Sequence, residues 1–183
     1  MFNKRWVTLL TGGLDVIILI ALDQWSKFLA VAHLQGQPDR PLIPGFIHLT
    51  YLENTGAAFG FMAGFGGAQV LLALVKVIIM AAAIMYYLIL PYKTRFLFLR
   101  IPLMLIIAGG MGNLIDRVWH GFVIDMIAFS FFNFPVFNVA DIYVTVGVFC
   151  FAAAVTFIVK DAPLFGMPVA GEPDEDLQRE EDV

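Results

Sequence analysis

Apolar residues run along the chain in four blocks, roughly 6–32, 68–90, 96–115 and 142–159. Each is close to the ~20 residues an α-helix needs to cross the hydrocarbon core of a bilayer. The pattern predicts an all-α integral membrane protein with four transmembrane helices, a domain over residues 1–160. Segments 33–67 and 116–141 then emerge on one side. In the first, Gly36, Pro38, Pro41, Pro44 and Gly45 break the chain. FIHLTYLEN (46–54) follows with the composition of a short strand, so a small β-ribbon or loop subdomain is expected outside the membrane. The next stretch, NTGAAFGFMAGFGG, fits a segment lying along the interface and carries no Walker or dinucleotide pattern. From Asp161 onward Pro, Gly and acids take over, and residues 161–183 are expected to form a disordered acidic tail.

Composition supports this reading. The chain of 183 residues is 60% hydrophobic and 14% charged, with a mean hydropathy of +0.84, which does not suit a soluble globule. The net charge of −4 misleads, because eight of the fifteen acids lie after residue 160. Lys4 and Arg5 precede the first span, Lys93, Arg95 and Arg100 flank the turn between the second and third, and Lys160 follows the fourth. The positive-inside rule puts these ends, and both termini, in the cytoplasm, with the two long connections at the outer face. The first block is too long for a cleaved signal peptide and is interrupted by Asp15, Asp23 and Lys27, although AVA at 30–32 resembles a cleavage site. No basic patch interleaved with aromatics points to nucleic acid. The single Cys150 excludes a disulfide within the chain and reads as packing.

Ionisable residues inside such spans need partners or a function. Asp23 and Lys27 are four apart and share a helix face, either as a structural ion pair or as part of a site. Asp15 and Lys76 stand alone; Lys76 either snorkels outward or meets an acid on another helix. Asn113, Asp116 and Arg117 make one polar face at the end of the third span, where Gly109, Gly110 and Gly112 permit close helix contact. That face is either a local Asp–Arg network at a helix end or a grip for a carbonyl or ester. Asn138 and Asp141 are also three apart; Asp141 alone can be an acid favoured by a helix N-terminus. VIDMIAFSFFNFPVFNVAD (123–141) is an apolar, aromatic hairpin with one acid near each end. A hairpin of this length can return Asp141 towards Asp125. Two carboxylates held close in a water-poor site share a proton, and such a pair can activate water as base and protonate a leaving amine as acid. His33, His48 and His120 show no HExxH spacing, so a zinc site is not expected, and no serine elbow is present. Asp116, beside Arg117, reads as a structural acid. A small proton-coupled transporter using intramembrane carboxylates is the alternative.

Five pieces, DQWSK (23–27), NTGAAFG (54–60), GGMGNLIDR (109–117), VIDM (123–126) and FNVAD (137–141), stand in this order on a four-span chain. Together the chain resembles the lipoprotein signal peptidases, or signal peptidase II, over roughly residues 5–160. The third acidic motif of the family's pattern is usually VVDF; here VIDM keeps the acid. The resemblance implies an aspartic endopeptidase of the bacterial inner membrane that cleaves prolipoproteins just before a cysteine carrying diacylglycerol. It implies Asp125 and Asp141 as the catalytic pair, with Asn54, Gly56, Asn113, Arg117 and Asn138 lining the site. Asp23, Lys27 and Asp116 would support it. It further implies contact with membrane lipid, inhibition by globomycin-type cyclic peptides, and no metal or organic cofactor. Phe59, Phe61, Phe65 and the aromatics of 129–134 either cover such a site or form an interfacial belt.

Overall fold

A computed structural model describes residues 4–56, 68–91 and 96–158. In chain order these form α1 (Lys4–Leu34), β1 (Arg40–Ile43), β2 (Ile47–Asn54), α2 (Ala68–Ile89), α3 (Leu97–His120), β3 (Val123–Phe129) and α4 (Val139–Ala153), the last continued by a π turn over Ala154–Ile158. Among the described residues three helical stretches are long and apolar enough to cross a membrane: Arg5–Leu34, Leu97–His120 and Val139–Phe157. In α2 the corresponding apolar stretch, Leu74–Ile89, is shorter. The expected tail, the residues after Gly56 in the glycine-rich segment including its three phenylalanines, and Lys93 and Arg95 lie outside the described residues.

The helix α3 is central, with α1, α2 and α4 packed around it. Its buried residues include Leu99, Leu103, Ile106 and Ile107, which join Ala83, Tyr87, Leu90 and Ala154 in the main core. The outer helices turn large apolar side chains outward, among them Leu10, Ile17, Ile78 and Phe149. That is the inverse of a soluble protein and what a lipid solvent permits. Without a hydrophobic force between helices, close approach comes from small residues. A Cβ at Gly109 would run into the carbonyl oxygen of Ala140 and into Val144, and one at Gly147 would meet Ile106 and the carbonyl of Pro102. Arg100, buried in α3, donates to the carbonyl of Leu90 at 2.7 Å and so serves the unpaired C-terminal carbonyls of α2.

The strands form one antiparallel sheet in the order β1-β2-β3. It caps one end of the helices: Ile124 and Met126 of β3 pack with Ala30 and Leu34 at the end of α1. The third strand corrects the reading of 123–141 as one apolar hairpin loop. Its residues are buried on both faces, so the alternation that marks a half-buried strand is missing from the sequence. Helix limits also move. The third block, read to 115, stays helical to His120, where Gly121 adopts φ 81° and donates to the carbonyl of Arg117. The fourth, read from 142, starts at Val139 because Asn138 caps it, and this places Asp141 in the first helical turn.

Candidate active site

Asn138 has an extended backbone and ends the connection from β3. Phe137, one residue earlier, is clipped to Ile127 by N–H···O bonds of 2.9 Å in both directions. The side chain Oδ1 of Asn138 accepts from the backbone N–H of Asp141 at 2.9 Å, an ordinary helix cap. Its Nδ2 then faces back towards the sheet and donates to Asp125 Oδ1 at 2.6 Å and to Asn113 Oδ1 at 3.0 Å. One amide therefore holds the start of α4 against the middle of β3, and it ties Asp141 to Asp125.

The other oxygen of Asp125 is held from β2. Asn54 Nδ2 donates to Asp125 Oδ2 at 2.8 Å, and Asn54 Oδ1 accepts from the N–H of Gly56 at 2.8 Å. Gly56 has φ 96°, a conformation costly for a side-chain-bearing residue, so glycine there fixes which end of the Asn54 amide meets the acid. Asp125 is 1% exposed. Burial pushes its carboxyl up from the ordinary 3.8 to about 6; the Asn54 hydrogen bond opposes this, and the negative charge of Asp141 adds to it. Asp141 is less enclosed, at 31% exposure, and its Oδ1 accepts from Asn113 Nδ2 at 3.0 Å.

Beneath the two acids lies a buried ionic cluster. Lys27 Nζ reaches Asp23 at 2.8 Å, Asp116 at 2.9 Å and Asn113 Oδ1 at 3.2 Å, which uses its three donors. Asp23 also accepts from the N–H of Ala140 at 2.9 Å, and Asp116 accepts from the N–H of Ile124 at 3.1 Å. The two supporting acids thus position the backbones that carry Asp141 and Asp125. A Cβ at Gly112 would strike the Asp23 carboxylate, so glycine makes room for the pair. The expected local pairing of Asp116 with Arg117 is replaced by Asp116 with Lys27, because Asp116 turns into the bundle while Arg117 donates to the Asn113 carbonyl at 3.2 Å.

All ten residues that the resemblance names for the site are joined in this web. Two more belong to it. Gln24 Nε2 donates to Asp116 at 2.9 Å, to the Gly112 carbonyl at 3.1 Å and to Asp23 at 3.2 Å. It lies within the DQWSK piece, and its signal was a polar residue on the face of Asp23 and Lys27. Lys76 Nζ lies 3.9 Å from Asp141 Oδ1. Its signal was an isolated cation in a span, but no spacing along the sequence connects it to residue 141.

Two cavities meet at Asp141. One, of about 250 Å³, lies between α2, α3 and α4 and is lined by Lys76, Asn113 and Arg117 among apolar residues. The other, of about 400 Å³, lies between α4 and the β3–α4 connection and is lined by Asn54, Phe129, Phe134 and Phe137. Phe129, Phe131, Phe132 and Phe134 pack on one another with ring centroids 4.6 to 5.6 Å apart, so this part of the aromatic segment is both wall and cluster. Among the described residues no group of acids, histidines and cysteines is arranged to hold a metal ion.

The family model described as signal peptidase (SPase) II matches residues 16–157. A lipoprotein signal peptidase of Enterococcus faecalis is 42% identical over 133 residues, 73% of this chain and 80% of the relative. One of Streptococcus pyogenes is 44% identical over 135 residues, 74% of this chain and 86% of that one. Among solved structures, two bacterial membrane enzymes determined by the in meso method share the fold. The first has a TM-score of 0.68 at 29% identity, covering 80% of this chain and 93% of the other. The second has 0.62 at 30%, covering 82% and 88%.

Proposed function

Since this chain belongs to the signal peptidase II family of membrane peptidases, we propose that it is an aspartic endopeptidase that removes the signal peptide from diacylglyceryl-modified prolipoproteins, cutting just before the lipidated cysteine. The observation that carries this is the Asn138 link, which sets one enclosed acid, Asp125, beside one open acid, Asp141. Burial disfavours charge on Asp125, which suits that carboxyl to hold the proton of a shared-proton pair. In the reaction a water oxygen adds to the scissile carbonyl carbon. One water proton passes to the ionised Asp141, and the Asp125 proton passes to the carbonyl oxygen. The resulting diol collapses, the C–N bond breaks, and the departing nitrogen takes the proton from Asp141 while the diol returns its proton to Asp125. Asn54, Asn113 and Asn138 keep the two carboxyls oriented through the sequence. Arg117, at the cavity wall, would grip a substrate carbonyl or ester through its planar fork.

The topology that serves this chemistry has four spans, with both termini cytoplasmic and the acid pair at the outer face. There the substrate helix and its acyl chains stay in lipid while the scissile bond reaches the pair. A globomycin-type cyclic peptide would block the same acids. Membership of a peptidase family leaves the proton-coupled carrier without support. The test uses purified protein in detergent and a lipidated prolipoprotein. Asp125→Asn and Asp141→Asn should each lower turnover by about 10²–10⁴-fold while substrate binding persists. Near-normal turnover by folded Asp125→Asn, with folded Asp116→Asn inactive, would move the pair to Asp116 and Asp141.

A further inference from the structure

Lys76 sits eight residues into α2, about 12 Å from its start at 1.5 Å per residue. An ammonium group at that depth in a span is costly without a polar partner. Its side chain is 55% exposed, contributes to the walls of both cavities, and ends 3.9 Å from Asp141 Oδ1. Two other cations belong to the site. Lys27 of α1 is shared among Asp23, Asp116 and Asn113, and Arg117 of α3 donates to the Asn113 carbonyl. Asp125 of β3 faces two amides, from Asn54 and Asn138, and among the described residues no ammonium group within ion-pair distance. The two acids of the pair are therefore unequal in one further respect: among the described residues Asp141 has an ammonium group within 4 Å of its carboxylate, whereas Asp125 feels Lys27 only from further off.

We infer that Lys76 is a positioning residue of the hydrolytic reaction, whose ammonium group keeps the single negative charge of the acid pair on Asp141 and so leaves the shared proton on Asp125. The burial of Asp125 works in the same direction, since it disfavours charge there. The ion pair also spans the meeting point of the two cavities, so Lys76 orients the open carboxylate where a scissile bond must lie. This inference rests on the acid-pair reading above.

The test is the pH profile of kcat/KM for the same lipidated substrate. Its acid limb reports loss of the pair's one negative charge. Lys76→Met keeps the apolar stem and removes the charge, and the limb should move up by about half a pH unit. Lys76→Arg should keep the wild-type limb. Lys76→Gln serves as a second neutral side chain if the methionine variant folds poorly; at an exposed position neither empties a core. An unmoved limb in the neutral variants, or a limb moved equally by arginine, would overturn the inference. Asp141→Asn is run in the same series. If it is inactive while neutral Lys76 variants are unmoved, only the role of Lys76 fails; if it turns over normally, the acid-pair reading fails and this inference with it.

Discussion

Three donors meet three acceptors at Lys27, and both acids it holds are nearly fully buried. Removing one partner from such a set is costly because a charge is left buried and uncompensated. Lys27→Met is expected to destabilise by about 3–5 kcal/mol, read as a lower thermal midpoint in detergent. Asp116→Asn leaves Lys27 paired with Asp23 and should cost less, about 1–3 kcal/mol, with turnover per folded molecule largely kept. Asp125 behaves differently. Its carboxyl is raised from 3.8 to about 6 in the fold, so the native state binds the proton more tightly than the unfolded chain. That contribution to stability is fully present below about 4 and is lost as pH rises through about 6. Relative to wild type, Asp125→Asn should therefore gain on the order of 2 kcal/mol between pH 4 and pH 7.5, whatever the offset at either pH. Thermal unfolding of both proteins at the two pH values checks this; a difference that does not change with pH would mean the acid titrates as it does in water.

Glycine positions on the helices separate packing from propensity. Gly13 on α1 has open space where a Cβ would go, whereas Gly112 on α3 has the Asp23 carboxylate. Gly13→Ala should be neutral or stabilising by up to about 1 kcal/mol, since alanine favours the helix. Gly112→Ala should cost about 1–3 kcal/mol as an overpacked position and should lower turnover as well, because Asp23 holds the N–H of Ala140 next to Asp141. Equal effects of the two substitutions would mean that α1 and α3 do not approach as closely as described. The strand β3 carries a similar constraint. The pairing with β2 sets Asp125 opposite Leu52 and Val123 opposite Asn54, with a register shift between Leu49 and Leu52. A one-residue slip would turn Asp125 to the opposite face of the sheet, away from Asn138.

At the scale of the whole molecule, the sheet, the C-terminal ends of α1 and α3 and the start of α4 converge at one end of the bundle, and the acids with them. Among the described residues Arg5 and Arg100 lie near the opposite ends of α1 and α3. A reporter inserted near Gln37 should therefore be extracytoplasmic and one fused after residue 159 cytoplasmic; the reverse would put the acid pair on the wrong side for an exported substrate.

Long apolar blocks and the charges between them made the membrane class and the helices legible, because the cost of burying backbone and charge in lipid acts on each segment separately. Several polar residues within those blocks were legible as a candidate site for the same reason, since charge in a span needs a partner or a function. Asp125 and Asp141 could be named from the sequence, but not the strand that carries one or the helical turn that carries the other. β3 is buried on both faces and shows no alternation, and the cap at Asn138 depends on an amide whose other bonds go to Asp125 and Asn113. Only the tertiary structure paired Asp116 with Lys27 rather than with its neighbour Arg117, and brought Lys76 from 65 residues away to Asp141. Local spacing reports which residues share a face of one element. Which charge neutralises which is decided between elements, where helix packing sets distances of 3 to 4 Å on which the electrostatic terms depend.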